Sequence, residues 1–325
     1  MKLKKIKRLA AAGVAMLMTL SLAGCGAGSR SVKLGAAGVG GGYYAFSNEF
    51  AQMAVAADED LEFEVKATAG STANIRLLSD GYIDMAIAQA DLVDAAYNGT
   101  GVTDKKRYRG YSAVASLYTE ACQIVVRADS GIDSLDDLQG KKVSVGEEES
   151  GTQRNAEQIL KMTGLVESLV DTVNLDYVDA ANELKSGQID AFFCTAGIQT
   201  SVIEELSKEC DVKLIGIDDK CRDRLKSVYG FYTDYTIPAG TYEGQDQDVE
   251  TLGVRAVLLA RDDMDEEIVE ELTGLLFEHS QDIQYSIPLT FQIDESEAVK
   301  NVTIPFHDGA KAYYQKKRIE LPAEQ

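Results

Sequence analysis

Within sixty residues near its start, the chain runs three times from a short apolar strand, through a polar or glycine-rich loop, into a helix. Residues 32–35 (VKLG) lead through Gly38-Val39-Gly40-Gly41-Gly42 to a helix expected over 43–57. Residues 61–67 (LEFEVKA) alternate as a second strand and lead through Thr68-Ala69-Gly70-Ser71 to a helix over 72–79. Residues 83–88 (IDMAIA) form a third, delivering Gln89-Ala90-Asp91 to another helix start with Asp91 placed as its N-cap. Strands that alternate with helices this regularly demand a parallel α/β sheet with right-handed crossovers. Ligands of such sheets bind outside the carboxyl ends of the strands.

The same grammar resumes after a run-in over 108–118. Residues 123–127 (QIVVR) read as a strand, and Ser134 opens a short helix that Gly140 stops. Strands follow at 143–145, 175–178, 189–194 and 214–217, with helices expected from 155 to 160 and from 181 to 185. Residues 229–244, rich in tyrosine and containing Pro238 and Gly240, read as an irregular connection. Residues 254–261 resemble 123–128 in being an apolar strand followed by Arg, and the two are read as chains crossing between domains. An amphipathic helix over 266–277 and a last helix over 309–318 close the pattern.

The most informative stretch is VSVGEEESGTQRNAEQIL, residues 143–160. Its strand ends at Gly146, and Ser150-Gly151-Thr152 opens a helix that carries Ala156, Ile159 and Leu160 at helical spacing. A helix N-terminus offers unpaired N–H groups and about half a positive charge, a natural seat for a carboxylate. A capping box, S-x-x-Q, accounts for Ser150 and Gln153 equally well without any ligand. The glycine loop at 38–42 invites comparison with the dinucleotide fingerprint G-x-G-x-x-G, but Tyr43 occupies its third glycine position, so no such cofactor is expected. Its glycines would let backbone approach a small ligand, with Tyr43 and Tyr44 closing over it; a plain turn with two packing tyrosines is the alternative.

Residues 1–24 read as an export signal: Lys2, Lys4, Lys5, Lys7 and Arg8 precede an apolar run over 9–22, too short to span a membrane. Leu22-Ala23-Gly24-Cys25 looks like a bacterial lipobox, which would make Cys25 the lipidated first residue of the mature protein, with residues 25–31 a short tether. The formal charge is −21, and removing the signal's five cations gives −21 − 5 = −26. So acidic a body excludes nucleic acid as a partner and will not lie flat on an anionic membrane. Of the later cysteines, Cys122 and Cys194 sit in apolar strands as buried thiols, while Cys210 and Cys221 could bridge.

Taken together, these stretches resemble the TAXI family of solute-binding proteins, the extracytoplasmic receptors of one class of TRAP transporters. The residues that carry the resemblance are GVGGGYYAFSNEFA, TAGSTANIRLLSDGYIDMAIAQAD with AYNG behind it, VVRADSGIDSLDDLQGKKVSVG plus SGT, LKSGQIDAFFCTAG and IPAGTYEGQDQDVETLGV, in that order over about residues 35–253. The resemblance implies a type II-like two-domain periplasmic-binding-protein fold with its ligand between the domains. It also implies a membrane subunit pair as partner and a small carboxylate-bearing solute, such as glutamate, glutamine or another organic acid. The chain departs from the family at Glu147-Glu148-Glu149, where smaller, glycine-rich residues usually precede Ser-Gly-Thr. That run sets like charge beside the expected anion seat.

The expected organisation is therefore a signal over 1–24, a tether over 25–31, domain I over 32–120 with 240–325 returning to it, and domain II over 121–239. Hinges are expected near 118–123 and between 229 and 259. The expected ligand-binding residues are Gly41, Gly42, Tyr43, Tyr44, Ser71, Gln89, Asp91, Ser150, Gly151, Thr152, Thr195 and Gly197, with Cys25 carrying the lipid anchor to the cell membrane. The rival is an exported lipoprotein enzyme acting on a small acidic metabolite. No G-x-S-x-G elbow, no H-E-x-x-H and no cysteine–histidine metal spacing supports it, and no metal or cofactor is expected. His279 and His307, the two histidines, fall outside the cleft-forming stretches.

Overall fold

A computed structural model describes residues 30–101, 105–166, 168–279 and 294–322; the signal, Cys25, the tether up to residue 29 and Pro288 lie outside them. The first third alternates as its patterning demands: β1 (Arg30–Gly35), α1 (Gly42–Ala57), β2 (Leu61–Lys66), α2 (Ser71–Ser79), β3 (Met85–Gln89) and α3 (Ala90–Asn98). β1 pairs in parallel with both β2 and β3. The long β4 (Tyr111–Arg127) follows, and then β5 (Lys142–Ser144), α4 (Gly151–Thr163), β6 (Asp171–Val173), α5 (Tyr177–Ser186) and β7 (Ala191–Ala196). The chain continues with α6 (Ser201–Glu209), β8 (Val212–Leu214), α7 (Asp219–Tyr229), β9 (Thr233–Ile237), β10 (Val249–Arg261), α8 (Glu266–Glu278) and α9 (Asp308–Lys317).

The strands form one mixed sheet in the order β2-β1-β3-β10-β4-β7-β5-β6, with β8 against β4 and β9 against β10. Its ends are parallel and its middle is not: β10 runs antiparallel to both β3 and β4, and β4 antiparallel to β7. β4 is a single 17-residue strand. The polar pair Thr119-Glu120 interrupts its apolar run, which is why the sequence splits it into a run-in and a separate strand. Residues 111–121 face β10 and residues 121–126 face β7, so one strand serves both halves of the molecule.

Each half has its own core. Leu34, Phe46, Phe50, Met85 and Ile87 pack with Phe306 and Tyr314, which arrive from the far end of the chain. The other half covers both faces of its sheet: Phe193 packs with Val143 and Ile159, while its neighbour Phe192 packs with Leu184 and Ile203. Successive strand residues point to opposite faces, so both phenylalanines are buried, each worth about 1.5–3 kcal/mol. Tyr242, Leu252 and Val254 also pack in this second half. This is the two-domain periplasmic-binding-protein fold.

Four local expectations change. Residues 175–178 are not a strand: the Asp176 carboxylate accepts the Asp179 N–H at 2.8 Å and starts α5 at Tyr177. The stretch 229–244 contains β9, hydrogen-bonded along β10. Gln89, not Asp91, is the N-cap of α3, with extended backbone before the helix begins at Ala90. Finally, Cys210 and Cys221 are unbridged thiols, as are Cys122 and Cys194.

Candidate functional site

The N-terminal ends of α1, α2, α3, α4 and α5, together with the last residues of β7, surround one cavity between the halves, of about 490 Å³ counting its mouth. The first N–H groups of any helix lack intrahelical partners, and here several such ends face one space. Not all of them are free: the Thr72 and Ala73 N–H groups of α2 donate across the cleft to the Glu149 carbonyl, at 3.1 and 3.2 Å. Gly42 and Tyr43 stand at the start of α1, and Gly151 and Thr152 at the start of α4.

The Ser150 cap forms and lines the cavity, but the reciprocal half of the expected capping box lands one residue early. Ser150 Oγ accepts the Gln153 N–H at 2.9 Å, and Gln153 Oε1 accepts the N–H of Glu149, one residue before the cap, at 3.1 Å. Gly151 follows because the Gln89 side chain of the other half lies against it; a Cβ there would sit 2.5 Å from the Gln89 amide carbon. The Thr152 hydroxyl, expected to reach a ligand, is engaged within the wall. It accepts from the Thr195 N–H at 3.2 Å and lies 2.6 Å from the Tyr177 hydroxyl. Tyr177 in turn donates to the Thr195 carbonyl at 3.0 Å, so the Thr152 hydrogen points to Tyr177.

The floor is acidic. Glu120, 2 % exposed, accepts from the Tyr43 hydroxyl at 2.6 Å through Oε2. Burial pushes its pKa up to about 8, against the opposing pull of hydrogen bonds from Tyr43 and Gln89. Glu147 and Asp176 stand further out, and no Lys, Arg or His lines the cavity among the described residues. Gln89, also 2 % exposed, donates through Nε2 to Asn155 Oδ1 at 3.0 Å. Asn155 then donates to Tyr232, and Tyr232 to Gln158. That relay leaves the buried Gln89 Oε1 without a hydrogen-bond partner.

Of the expected site residues, Gly41, Gly42, Tyr43, Ser71, Gln89, Ser150, Gly151, Thr152 and Thr195 line the cavity. Tyr44, Asp91 and Gly197 do not. Tyr44 is one helix position on from Tyr43 and packs against the first core. The Asp91 carboxylate turns back to its own helix start, accepting from the Leu92 N–H, and burial raises its pKa to about 6. Gly197 lies beyond the strand end, its carbonyl accepting from the Thr200 hydroxyl before α6 begins at Ser201. Residues missed by the sequence reading are Glu120 and the α5 pair Asp176 and Tyr177. A lone glutamate inside an apolar strand was the available signal, because a buried carboxylate needs partners. The Cys122 thiol is pushed up to about 12 by burial and stays protonated. His307 caps α9, its Nδ1 accepting the Gly309 N–H at 3.1 Å.

Fold and cavity define a two-lobed protein built around a small-molecule cleft. Residues 34–317 match the NMT1-like family, and the chain belongs to it. Its structure is similar to PhnD1 from Prochlorococcus marinus (MIT 9301), solved in complex with methylphosphonate. The TM-score is 0.56 and the identity 13 %, over 90 % of this chain and 99 % of that one. It is also similar to a protein from Bordetella bronchiseptica RB50, with a TM-score of 0.54 and 18 % identity over 91 % of this chain and 84 % of that one.

Proposed function

We propose that this protein is an extracytoplasmic solute receptor that holds a small carboxylate-bearing solute between its lobes and delivers it to membrane transport subunits. The observation that carries the reading is the convergence of helix N-termini from both lobes on one cavity, with unpaired N–H groups at Gly42, Tyr43, Gly151 and Thr152 suited to a carboxylate. PhnD1, of similar fold, binds the small anion methylphosphonate. An enzyme would need a group poised to react; instead, the cavity's tyrosines are held protonated by burial.

Within this class the proposed type is the TAXI receptor of a TRAP transporter, supported by the motifs quoted above and by their meeting at the cavity. The proposed lobes exchange chain within β4 near Glu120 and within β10 near Gly253, close to the hinges expected from sequence. Cys25 is the proposed lipid anchor, supported by the lipobox. Native mass spectrometry of protein purified without refolding tests the receptor reading. A retained small solute, exchangeable and chemically unchanged, is the expected result; turnover of that solute would replace the receptor with an enzyme.

A further inference from the structure

We propose that Glu120 and the side-chain carbonyl of Gln89 form a seat for a protonated nitrogen, so that the cavity selects a solute bearing a cationic N–H group over a nitrogen-free acid of the same skeleton. This rests on the receptor reading and narrows its ligand. Two independent features of the cavity floor support it. One is the Glu120 carboxyl group, buried to 2 % exposure, with no basic side chain among the described residues lining the space around it. The other is Gln89 Oε1, an equally buried acceptor with no partner. Gln89 Oε1 can only accept, and Glu120 accepts at every oxygen once ionised, so a bound group that satisfies both must donate. A nitrogen-free acid would leave Gln89 Oε1 orphaned, costing about 1–3 kcal/mol, and would bring its negative charge toward Glu147 and Asp176 with no cationic group to offset it. An ammonium group satisfies both acceptors at once through its several N–H donors.

The neighbours of Glu120 fix what charge it can carry. Tyr43 from α1 donates to it, and Gln89 from the end of β3 adds a second hydrogen bond. Asp91 in the first turn of α3 repels its ionised form. The hydroxyls of Tyr118 and Tyr177 and the thiols of Cys122 and Cys194 face it as neutral groups. Arg255, one strand position on from Val254, the β10 partner of Glu120, turns instead to Ser116 Oγ at 3.1 Å. No cation among the described residues therefore neutralises Glu120, and without a ligand it favours the protonated form. A ligand ammonium supplies the missing charge, and Glu120 ionises as it binds, releasing a proton to solvent.

Matched pairs test the proposal on the wild-type protein at pH 7, by thermal shift and then calorimetry: L-glutamate with glutarate, L-leucine with 4-methylpentanoate, L-lysine with hexanoate. The ammonium-bearing member of any binding pair should bind at least tenfold tighter. Calorimetry in phosphate and in Tris should show up to one proton released. Glu120→Gln should weaken the ammonium-bearing ligand tenfold or more while leaving its nitrogen-free partner unchanged or stronger. The proposal is overturned if a nitrogen-free acid binds as well as its partner, if no nitrogen-bearing member binds, or if binding releases no proton. Tight binding of nitrogen-free acids alone would sink this inference and leave the receptor reading standing. Retention of no small solute in native mass spectrometry would sink the receptor reading itself.

Discussion

Arg76 on α2 grips Glu149 of the opposite lobe at two points, Nε to Oε1 at 3.0 Å and Nη2 to Oε2 at 2.7 Å. The Glu149 carbonyl caps the same helix, and the residue adopts a left-handed backbone with φ of 65° to do both. The run of three glutamates thereby divides. Glu149 is spent on the interlobe contact, Glu148 faces solvent, and Glu147 alone lines the cavity. Of that run only Glu147 remains beside the anion seat, and the other carboxyl groups there, Glu120 and Asp176, come from β4 and the start of α5.

Arg76→Ala should loosen the closed form. Both partners are more than a third exposed, so the ion pair is worth no more than about 1 kcal/mol. Affinity for the solute should fall about two- to fivefold, and small-angle scattering of the unliganded variant should give a larger radius of gyration. An unchanged radius and affinity would show that the contact does not hold the lobes together.

Thr152→Val should act through the wall and not through a bond to the ligand. It strands the buried Thr195 N–H and removes a partner of Tyr177, at about 1–3 kcal/mol. Tyr177→Phe should reproduce much of the effect. Calorimetry should show both variants about tenfold weaker; affinities within twofold of wild type would make the network irrelevant to binding.

Gly151→Ala should be among the most damaging single-methyl changes. The added carbon meets Gln89 across the cleft while leaving α4 itself unstrained. The expected result is a folded protein, with its melting temperature nearly unchanged in the absence of solute, that no longer closes. Binding weakened less than tenfold would mean that Gln89 gives way freely.

Stability should fall as pH rises. Glu120 has its pKa raised from 4.5 to about 8, so the folded protein binds this proton more tightly than the unfolded chain. The stabilisation is full below about pH 4.5 and is lost as pH rises through 8, at up to ~1.4 kcal/mol per pH unit. Asp91, raised from 3.8 to about 6, adds in the same direction over a lower window. Denaturant melts of unliganded protein from pH 5 to 8.5 should show the decline, and Glu120→Gln should flatten it above pH 6. An equal slope in the variant would remove Glu120 as its source.

The fold was legible because strand and helix periods alternate cleanly from Val32 onward, and the glycine- and serine-rich loops mark where each helix begins. Nine of the twelve expected ligand residues line the cavity for that reason. Tyr44 and Asp91 failed because sequence places a residue at a helix start without fixing which way its side chain turns. Tyr177 was hidden when Leu175-Asp176-Tyr177-Val178 read as a strand, since the Asp176 cap and the apolar run favour different structures. Glu120 was hidden by contacts distant in sequence: its partner Tyr43 is 77 residues away.

β4 passes unbroken from one lobe to the other, and Glu120 sits where its pairing changes from β10 to β7. A residue at a pivot barely moves when the arms swing. On the proposed hinge, Arg76, Glu149 and the α4 turn, further from the pivot, would travel most. On that proposal a solute would be inspected on the floor before the walls arrive, and rejected without any closing motion. Discrimination would then govern how often the lobes shut, while the outer contacts govern how long they stay shut.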